Sequence, residues 1–176
     1  MNESRPMKPQ IISIAGKSNA GKTTLMEKLI AELTRRGYEI GSVKHAHDGF
    51  EIDKEGKDSW RHKNAGASAA LIVTGTKAAL VKDDRRPALE KLEAYLGDMD
   101  IILVEGLKQE HLPKIEIFRK GGDYDRPLFL DSPDLIAFVT DSDFSPDVPL
   151  FGLDQIDAIA SFIEKLHLSH AHRETI

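Results

Sequence analysis

The chain has 176 residues, of which 40% are apolar and 30% charged, and its net charge is −5. This balance fits one soluble domain with its own core, and the negative charge argues against nucleic-acid partners. The sequence has no cysteine, which excludes disulfides and thiolate metal sites, and no apolar run of the ~20 residues that a membrane span needs. We therefore expect a cytoplasmic protein with no membrane partner, a single domain over residues 1–176 and loose ends at 1–9 and 168–176.

The first half of the predicted sheet begins with QIISIAG, a buried strand. Leu25, Leu29 and Leu33 then recur at the spacing of a helix that stops at Gly37. YEIGSVKH predicts a second strand, and DSWRHKNAGA a short helix capped by Asp58 or Ser59. ALIVTG and KAALVK predict two strands about two residues apart that can pair as a hairpin.

The second half alternates strands and helices again. RPALEKLEAYLG predicts a helix, DIILVEG and LIAFVTD predict buried strands, and DQIDAIASFIEKLHL predicts a closing helix. KIEIFR predicts a more exposed strand, because its polar and apolar residues alternate. The whole pattern predicts an α/β fold, with a mainly parallel sheet flanked by helices and antiparallel hairpin additions.

The spacing Gly16-x-x-x-x-Gly21-Lys22-Thr23, between a strand and a helix, is the strongest functional signal. Its glycines allow backbone N–H groups to point at phosphate oxygens, next to the positive end of the helix dipole. Lys22 would neutralise charge on the β- and γ-phosphates during catalysis, and the Thr23 hydroxyl would coordinate Mg²⁺. The pattern predicts a P-loop for a GTP- or ATP-type triphosphate, whose binding residues are Gly16, Lys17, Ser18, Asn19, Ala20, Gly21, Lys22, Thr23 and Thr24.

Lys17 gives this loop a second lysine. The arrangement resembles the deviant Walker A loop of dimeric P-loop ATPases and GTPases, in which a lysine crosses to the partner's nucleotide. Ser18 and Asn19 stand where that motif has paired glycines, so a solvated loop lysine is the preferred interpretation.

Carboxylates for the magnesium shell follow two other strands. Glu105 ends IILVEG, where such proteins more often have aspartate. Asp53 and Asp58 lie in the polar segment after the second strand, at the sheet edge where open α/β folds bind ligands. We expect Thr23, Asp53 and Glu105 to hold Mg²⁺, and Asp58 to position water beside Lys22.

His45 and His47 are spaced to share one face of a strand and could bind a metal. No third ligand stands out, so a polar loop pair is the preferred interpretation.

The base is indicated less clearly than the phosphates. FVTDSD places Thr140 and Asp143 at the spacing of the Asn/Thr-Lys-x-Asp motif, whose aspartate pairs with guanine. Asp141 occupies the lysine position of that motif. Both bases stay open on this pattern, with guanine preferred to adenine.

Four segments together resemble the MobB family, the molybdopterin-guanine dinucleotide biosynthesis adaptors: GKSNAGKTTL, KHAHDGFEIDKEGKDSWRHKNAGA, LVEGLK and LPKIEIFR. The resemblance implies a GTP-binding homodimer with weak GTPase activity. It also implies a partner, the nucleotidyltransferase MobA, which joins GMP to molybdopterin. It places residues 16–24 at the triphosphate of GTP, with Asp53, Asp58 and Glu105 nearby.

Two other functions remain open on the residues alone. A small-molecule kinase would need an arginine-rich lid, of which only Arg85 and Arg86 are present. A dimeric switch ATPase would use Lys17 across the dimer.

Overall fold

The computed structural model of the chain describes residues 8–46, 49 and 53–174. Its contacts divide the chain into two compact units, where the sequence predicts one domain. One unit is formed by the residues up to His45 together with those from Leu92 onward, and the other by residues 46–91.

The described residues contain eight strands and four helices. In chain order they are β1 (Gln10–Ala15), α1 (Lys22–Arg35), β2 (Ile40–Lys44), α2 (Asp58–Asn64), β3 (Ala69–Val73), β4 (Ala78–Lys82), α3 (Ala88–Leu96), β5 (Ile101–Glu105), β6 (Lys114–Phe118), β7 (Leu135–Thr140), β8 (Leu150–Phe151) and α4 (Ile156–Glu174).

The first unit is built on a six-stranded sheet in the order β2-β5-β1-β6-β7-β8. All of its neighbouring strands are parallel, and helices α1 and α4 pack against one of its faces through an apolar core. Strands inside a parallel sheet are covered on both faces and need apolar side chains there. IILVE has them, and it is fully buried up to Val104. With the β3–β4 hairpin added, this architecture confirms the predicted P-loop α/β fold.

Strand β6 differs from its prediction, because all five of its residues are buried. Ile115 and Ile117 join the core shared with α1 and α4. On the opposite face, Lys114 donates to the carbonyl oxygens of Glu110 (2.6 Å) and Leu112 (3.1 Å). The alternation was therefore misleading: the polar side chains point at loop backbone instead of at water.

The second unit contains α2 and the antiparallel hairpin of β3 and β4. The hairpin confirms the predicted pairing, but its turn has four residues, 74–77, and not about two. Helix α2 begins at Asp58 with Lys57 at its N-cap position, and no side chain caps it, so the predicted cap at Asp58 or Ser59 is wrong.

The end of the chain is more helical than the sequence indicates. The backbone of α4 continues to Glu174, where a loose tail was expected from residue 168. The two-residue strand β8 was not foreseen, because its apolar run is too short to stand out. Among the residues that the structure describes, no helix combines the length and apolar character needed to cross a bilayer.

Candidate nucleotide-binding site

The predicted phosphate loop leaves β1 in a conformation that requires glycine. Gly16 has φ +142° and Gly21, at the N-cap position of α1, has φ +95°. A Cβ on Gly16 would lie 2.5 Å from the carbonyl oxygen of Ile117 in the neighbouring strand β6. Asn19 also has a positive φ, 60°. Positive-φ residues in a loop of this kind help to turn backbone N–H groups toward one side, as an anion site needs.

Lys22 is the first residue of α1, and its side chain folds back over the loop. Its Nζ donates to the Lys17 carbonyl oxygen at 2.7 Å. Burial lowers the pKa of the Lys22 ammonium, and the charges of Lys108 and Lys44 lower it further, whereas the Glu105 carboxylate raises it. Lys22 therefore lies among other cations at the edge where β2 and β5 end, a position that favours anions.

Thr23 and Glu105 come together beside Lys22. The Thr23 hydroxyl donates to Glu105 Oε2 at 3.3 Å, which joins the start of α1 to the end of β5. The turn after Glu105 is fixed as well, because the Ser13 hydroxyl donates to the Gly106 carbonyl oxygen at 2.9 Å. A hydroxyl and a carboxylate side by side are ligands that Mg²⁺ accepts, so two of the three predicted metal ligands are adjacent.

Lys17 points to the other side of the loop. Its Nζ lies 4.5 Å from the ring centroid of Tyr124, a residue of the same chain in the segment between β6 and β7. This distance is typical of a cation–π contact. The role of Lys17 across a dimer stays a prediction.

The predicted base-recognition residues lie at the end of β7. The Thr140 hydroxyl accepts from the backbone N–H of Ser142 (3.0 Å) and so shapes the turn, and Asp143 lines a cavity of about 380 Å³. Phe118, Lys120 and Tyr124 line the same cavity. Sequence reasoning missed these three residues, because they end or follow a different strand, β6, and belong to no spaced motif.

Asp53 and Asp58 belong to the second unit. Asp53 Oδ1 accepts from the Ser59 hydroxyl and from the Lys54 backbone N–H, both at 2.9 Å. Its Oδ2 is buried and has no hydrogen-bond partner among the described residues. Asp58 is exposed, with Oδ1 3.9 Å from Arg61 Nη1. Their roles at Mg²⁺ and at water stay predictions.

Of the two histidines predicted to share a strand face, the structure describes His45, and His47 lies outside the described residues. The backbone N–H of His45 donates to the Glu105 carbonyl oxygen at 2.9 Å. In the part of the chain that the structure describes, no group of three His, Cys, Asp or Glu side chains could hold a metal.

Comparison with known proteins points to one family. The family model for MobB, molybdopterin guanine dinucleotide synthesis protein B, matches residues 11–141. The chain is 38% identical over 167 residues to the molybdopterin-guanine dinucleotide biosynthesis adapter protein of Haemophilus influenzae, with 93% of each chain covered. It is 33% identical over 158 residues to the adapter protein of that name from Escherichia coli, covering 87% of this chain and 90% of the relative.

A solved structure gives the same result. The crystal structure of Bacillus subtilis MobB superposes with a TM-score of 0.70 at 25% identity, covering 86% of this chain and 96% of that one. The matched residues include the phosphate loop, Glu105 and Thr140, which fall within the span of the family model. This chain therefore belongs to the MobB family.

Proposed function

We propose that this chain is a cytoplasmic GTP-binding adapter in molybdopterin-guanine dinucleotide biosynthesis. Its relatives in Haemophilus influenzae and Escherichia coli carry the adapter name over nearly their full length. The partner would be a MobA-like nucleotidyltransferase that attaches GMP to molybdopterin. The observation that carries the nucleotide part is the contact between Thr23 and Glu105 beside the positive-φ loop.

The residues present fit a triphosphate and a magnesium ion. The loop from Gly16 to Thr24 would hold the phosphates through its backbone N–H groups, and Lys22 would exchange its bond to the Lys17 carbonyl for a phosphate oxygen. Thr23 and Glu105 would hold Mg²⁺, joined by Asp53, and Asp58 would position water. When bound, the ion would supply positive charge that stabilises the γ-phosphoryl group during hydrolysis.

Guanine is the proposed base, because Asp143 lines a cavity at the end of β7, next to Thr140. A carboxylate accepts two hydrogen bonds side by side, which suits the adjacent donors N1–H and N2–H of guanine. We expect hydrolysis to be weak, as the family resemblance implies, and to serve binding of the partner more than turnover.

A homodimer is part of the same proposal. The β3–β4 hairpin exposes apolar side chains, with Leu71 60% and Val73 64% exposed. Exposed apolar patches of this kind mark interaction surfaces in soluble proteins, and a second copy of the chain would cover this one. Sedimentation of the wild type against Leu71→Asp tests this: we expect a dimer and a monomer respectively.

Calorimetric titration of GTP and ATP, each with Mg²⁺, tests the nucleotide site. We expect the wild type to bind GTP more tightly than ATP, and Lys22→Ala to lose both. Lys165→Ala, which changes an exposed lysine of α4, is the matched control and should bind as the wild type does. Tighter binding of ATP would favour the kinase or switch ATPase instead, and no binding of either would contradict the P-loop assignment.

One further variant and one capture experiment test the metal ligand and the partner. Glu105→Gln should weaken GTP binding in Mg²⁺ but not in EDTA, because the carboxamide keeps the shape and loses the charge. Capture of a purified MobA-like nucleotidyltransferase, with and without GTP, tests the adapter role. Absence of capture in both conditions would remove the partner from the proposal while leaving the nucleotide site intact.

A further inference from the structure

A cavity of about 380 Å³ lies at the ends of β6 and β7. A smaller cavity of about 70 Å³ lies directly against residues 17–20 of that loop. Both cavities are lined by Phe118, Gly122 and Tyr124. A ligand whose phosphates lie in the loop would therefore extend along these shared residues into the larger cavity, which is of the size that small ligands occupy.

The lining of the larger cavity combines aromatic rings with carboxylates. Phe118 and Phe144 meet edge to face, with ring centroids 5.2 Å apart, and such rings form a surface on which a flat base can stack. Asp125 and Asp143 are the carboxylates of the lining. Adenine presents an acceptor at N1 where guanine presents a donor, so a carboxylate favours guanine and repels adenine.

Asp141 occupies the lysine position of the base motif and makes contacts with the segment after β6. Asp141 Oδ1 accepts from the backbone N–H of Lys120 at 2.6 Å, and its Oδ2 lies 3.7 Å from Arg119 Nε. These contacts fix the start of the segment that follows β6. They tie that segment to the turn that carries Asp143.

The side chain of Lys120 then reaches the carboxylate of the motif. Its Nζ donates to Asp143 Oδ2 at 3.0 Å, and both residues line the larger cavity. The Lys120 and Asp143 side chains are 65% and 93% exposed, so the pair contributes little to folding. A bound base would exclude water from this pair and strengthen its effect on the base.

We propose that Lys120 is a specificity-determining residue for guanine, supplying from the segment after β6 the lysine that FVTDSD lacks. It positions the Asp143 carboxylate for the donors of guanine. The inference rests on the proposed binding of GTP.

The test compares Kd values for GTP and ATP, with Mg²⁺, in the wild type, Lys120→Ala, Lys120→Arg and the control Lys165→Ala. We expect Lys120→Ala to weaken GTP binding about tenfold, because Asp143 loses the charge-assisted contact that positions it for the donors of guanine. ATP binding and the thermal midpoint should stay unchanged, and Lys120→Arg should restore part of the preference for GTP. A merely structural lysine would lower the affinity for both nucleotides equally.

Coupling to Asp143 is measured with Asp143→Asn and the double variant. Because Lys120 acts partly through Asp143, the two losses in GTP affinity should be less than additive. Full additivity, or an unchanged ratio of GTP to ATP affinity in Lys120→Ala, would overturn the inference and leave the triphosphate site standing. A wild type that binds both nucleotides equally would overturn it as well, and a wild type that binds neither would overturn the proposed function with it.

Discussion

Strand β5 of the main sheet, IILVE, and strand β3 of the hairpin, AALIV, both contain Ile, Leu and Val but have opposite environments. Ile101 to Val104 are fully buried, whereas Leu71, Ile72 and Val73 are more than half exposed. Apolar β-branched residues make both segments strands. What buries a strand is the set of elements around it: β5 lies between β1 and β2 and contacts α1, whereas β3 pairs with β4 and contacts α2. Composition therefore predicts the strand and not its burial.

The largest expected difference between the two regions comes from truncating one leucine in each. Leu103→Ala, at a fully buried position of β5, should lower the free energy of unfolding by roughly 2–5 kcal/mol, through lost burial and a cavity. Leu71→Ala in the hairpin should change it by less than about 0.5 kcal/mol. Urea unfolding at low protein concentration measures both. Equal losses would show that the hairpin is buried in the isolated chain.

A pair of glycines sharpens the contrast in packing. Gly16 and Gly66 both have a positive φ, but a Cβ on Gly16 meets the carbonyl of Ile117, while one on Gly66 meets nothing within 4 Å. Gly66→Ala should cost about 1–2 kcal/mol from φ alone. Gly16→Ala should cost roughly 1–3 kcal/mol more, because it adds overpacking, and it should also lose GTP binding. Thermal unfolding with calorimetry checks both variants, and equal costs would contradict the close approach of β6.

Lys114 tests the correction made at β6. Lys114→Met should cost about 2 kcal/mol, because it removes the buried ammonium donor from Asp134 and from the carbonyls of Glu110 and Leu112. Lys77→Met, at an exposed position in the hairpin turn, is the control and should be close to neutral. If both substitutions change the free energy of unfolding in urea by the same amount, the prediction of an exposed strand for KIEIFR was right.

The smallest expected effect is on the stability of the protein in acid, and it comes from a carboxylate near the end of α1. Hydrogen bonds from Arg35 and Arg36 lower the pKa of Glu32 from 4.5 to about 2. A carboxyl whose pKa is lower in the folded state stabilises the fold above its unfolded pKa and loses this effect as the pH falls through its folded pKa. Glu32→Gln should therefore flatten the loss of stability between about pH 4.5 and 2. Unfolding curves across this window check it, and parallel slopes would contradict it.

Sequence patterns predicted the elements that obey a single local rule. The phosphate loop, the apolar strands β1, β5 and β7, and helix α1 each follow from spacing alone. Strand β6 did not, because its burial depends on loop backbone contributed by Leu128 and Phe129, whose N–H groups donate to the buried Glu116 carboxylate at 2.6 and 2.9 Å. No local pattern records such distant partners.

The candidate site shows the same division. Lys22, Thr23 and Glu105 could be found because each closes a motif at a strand or helix end. Lys120 could not, because its place beside Asp143 arises from two neighbouring strands that end at the same edge. The sequence shows that the motif has no lysine at position 141. Only the fold shows that Lys120, from another segment, lies beside Asp143.

The hydrogen bond between Lys22 and the Lys17 carbonyl has a consequence for calorimetry. A phosphate oxygen must displace this internal acceptor, so the heat that Lys22 contributes to binding is the difference between its bond to phosphate and its bond to the carbonyl. The ammonium is already held over the loop, so little rotamer freedom is lost when the anion arrives. The share of nucleotide affinity that comes from Lys22 should therefore include a favourable entropy from this preorganised side chain.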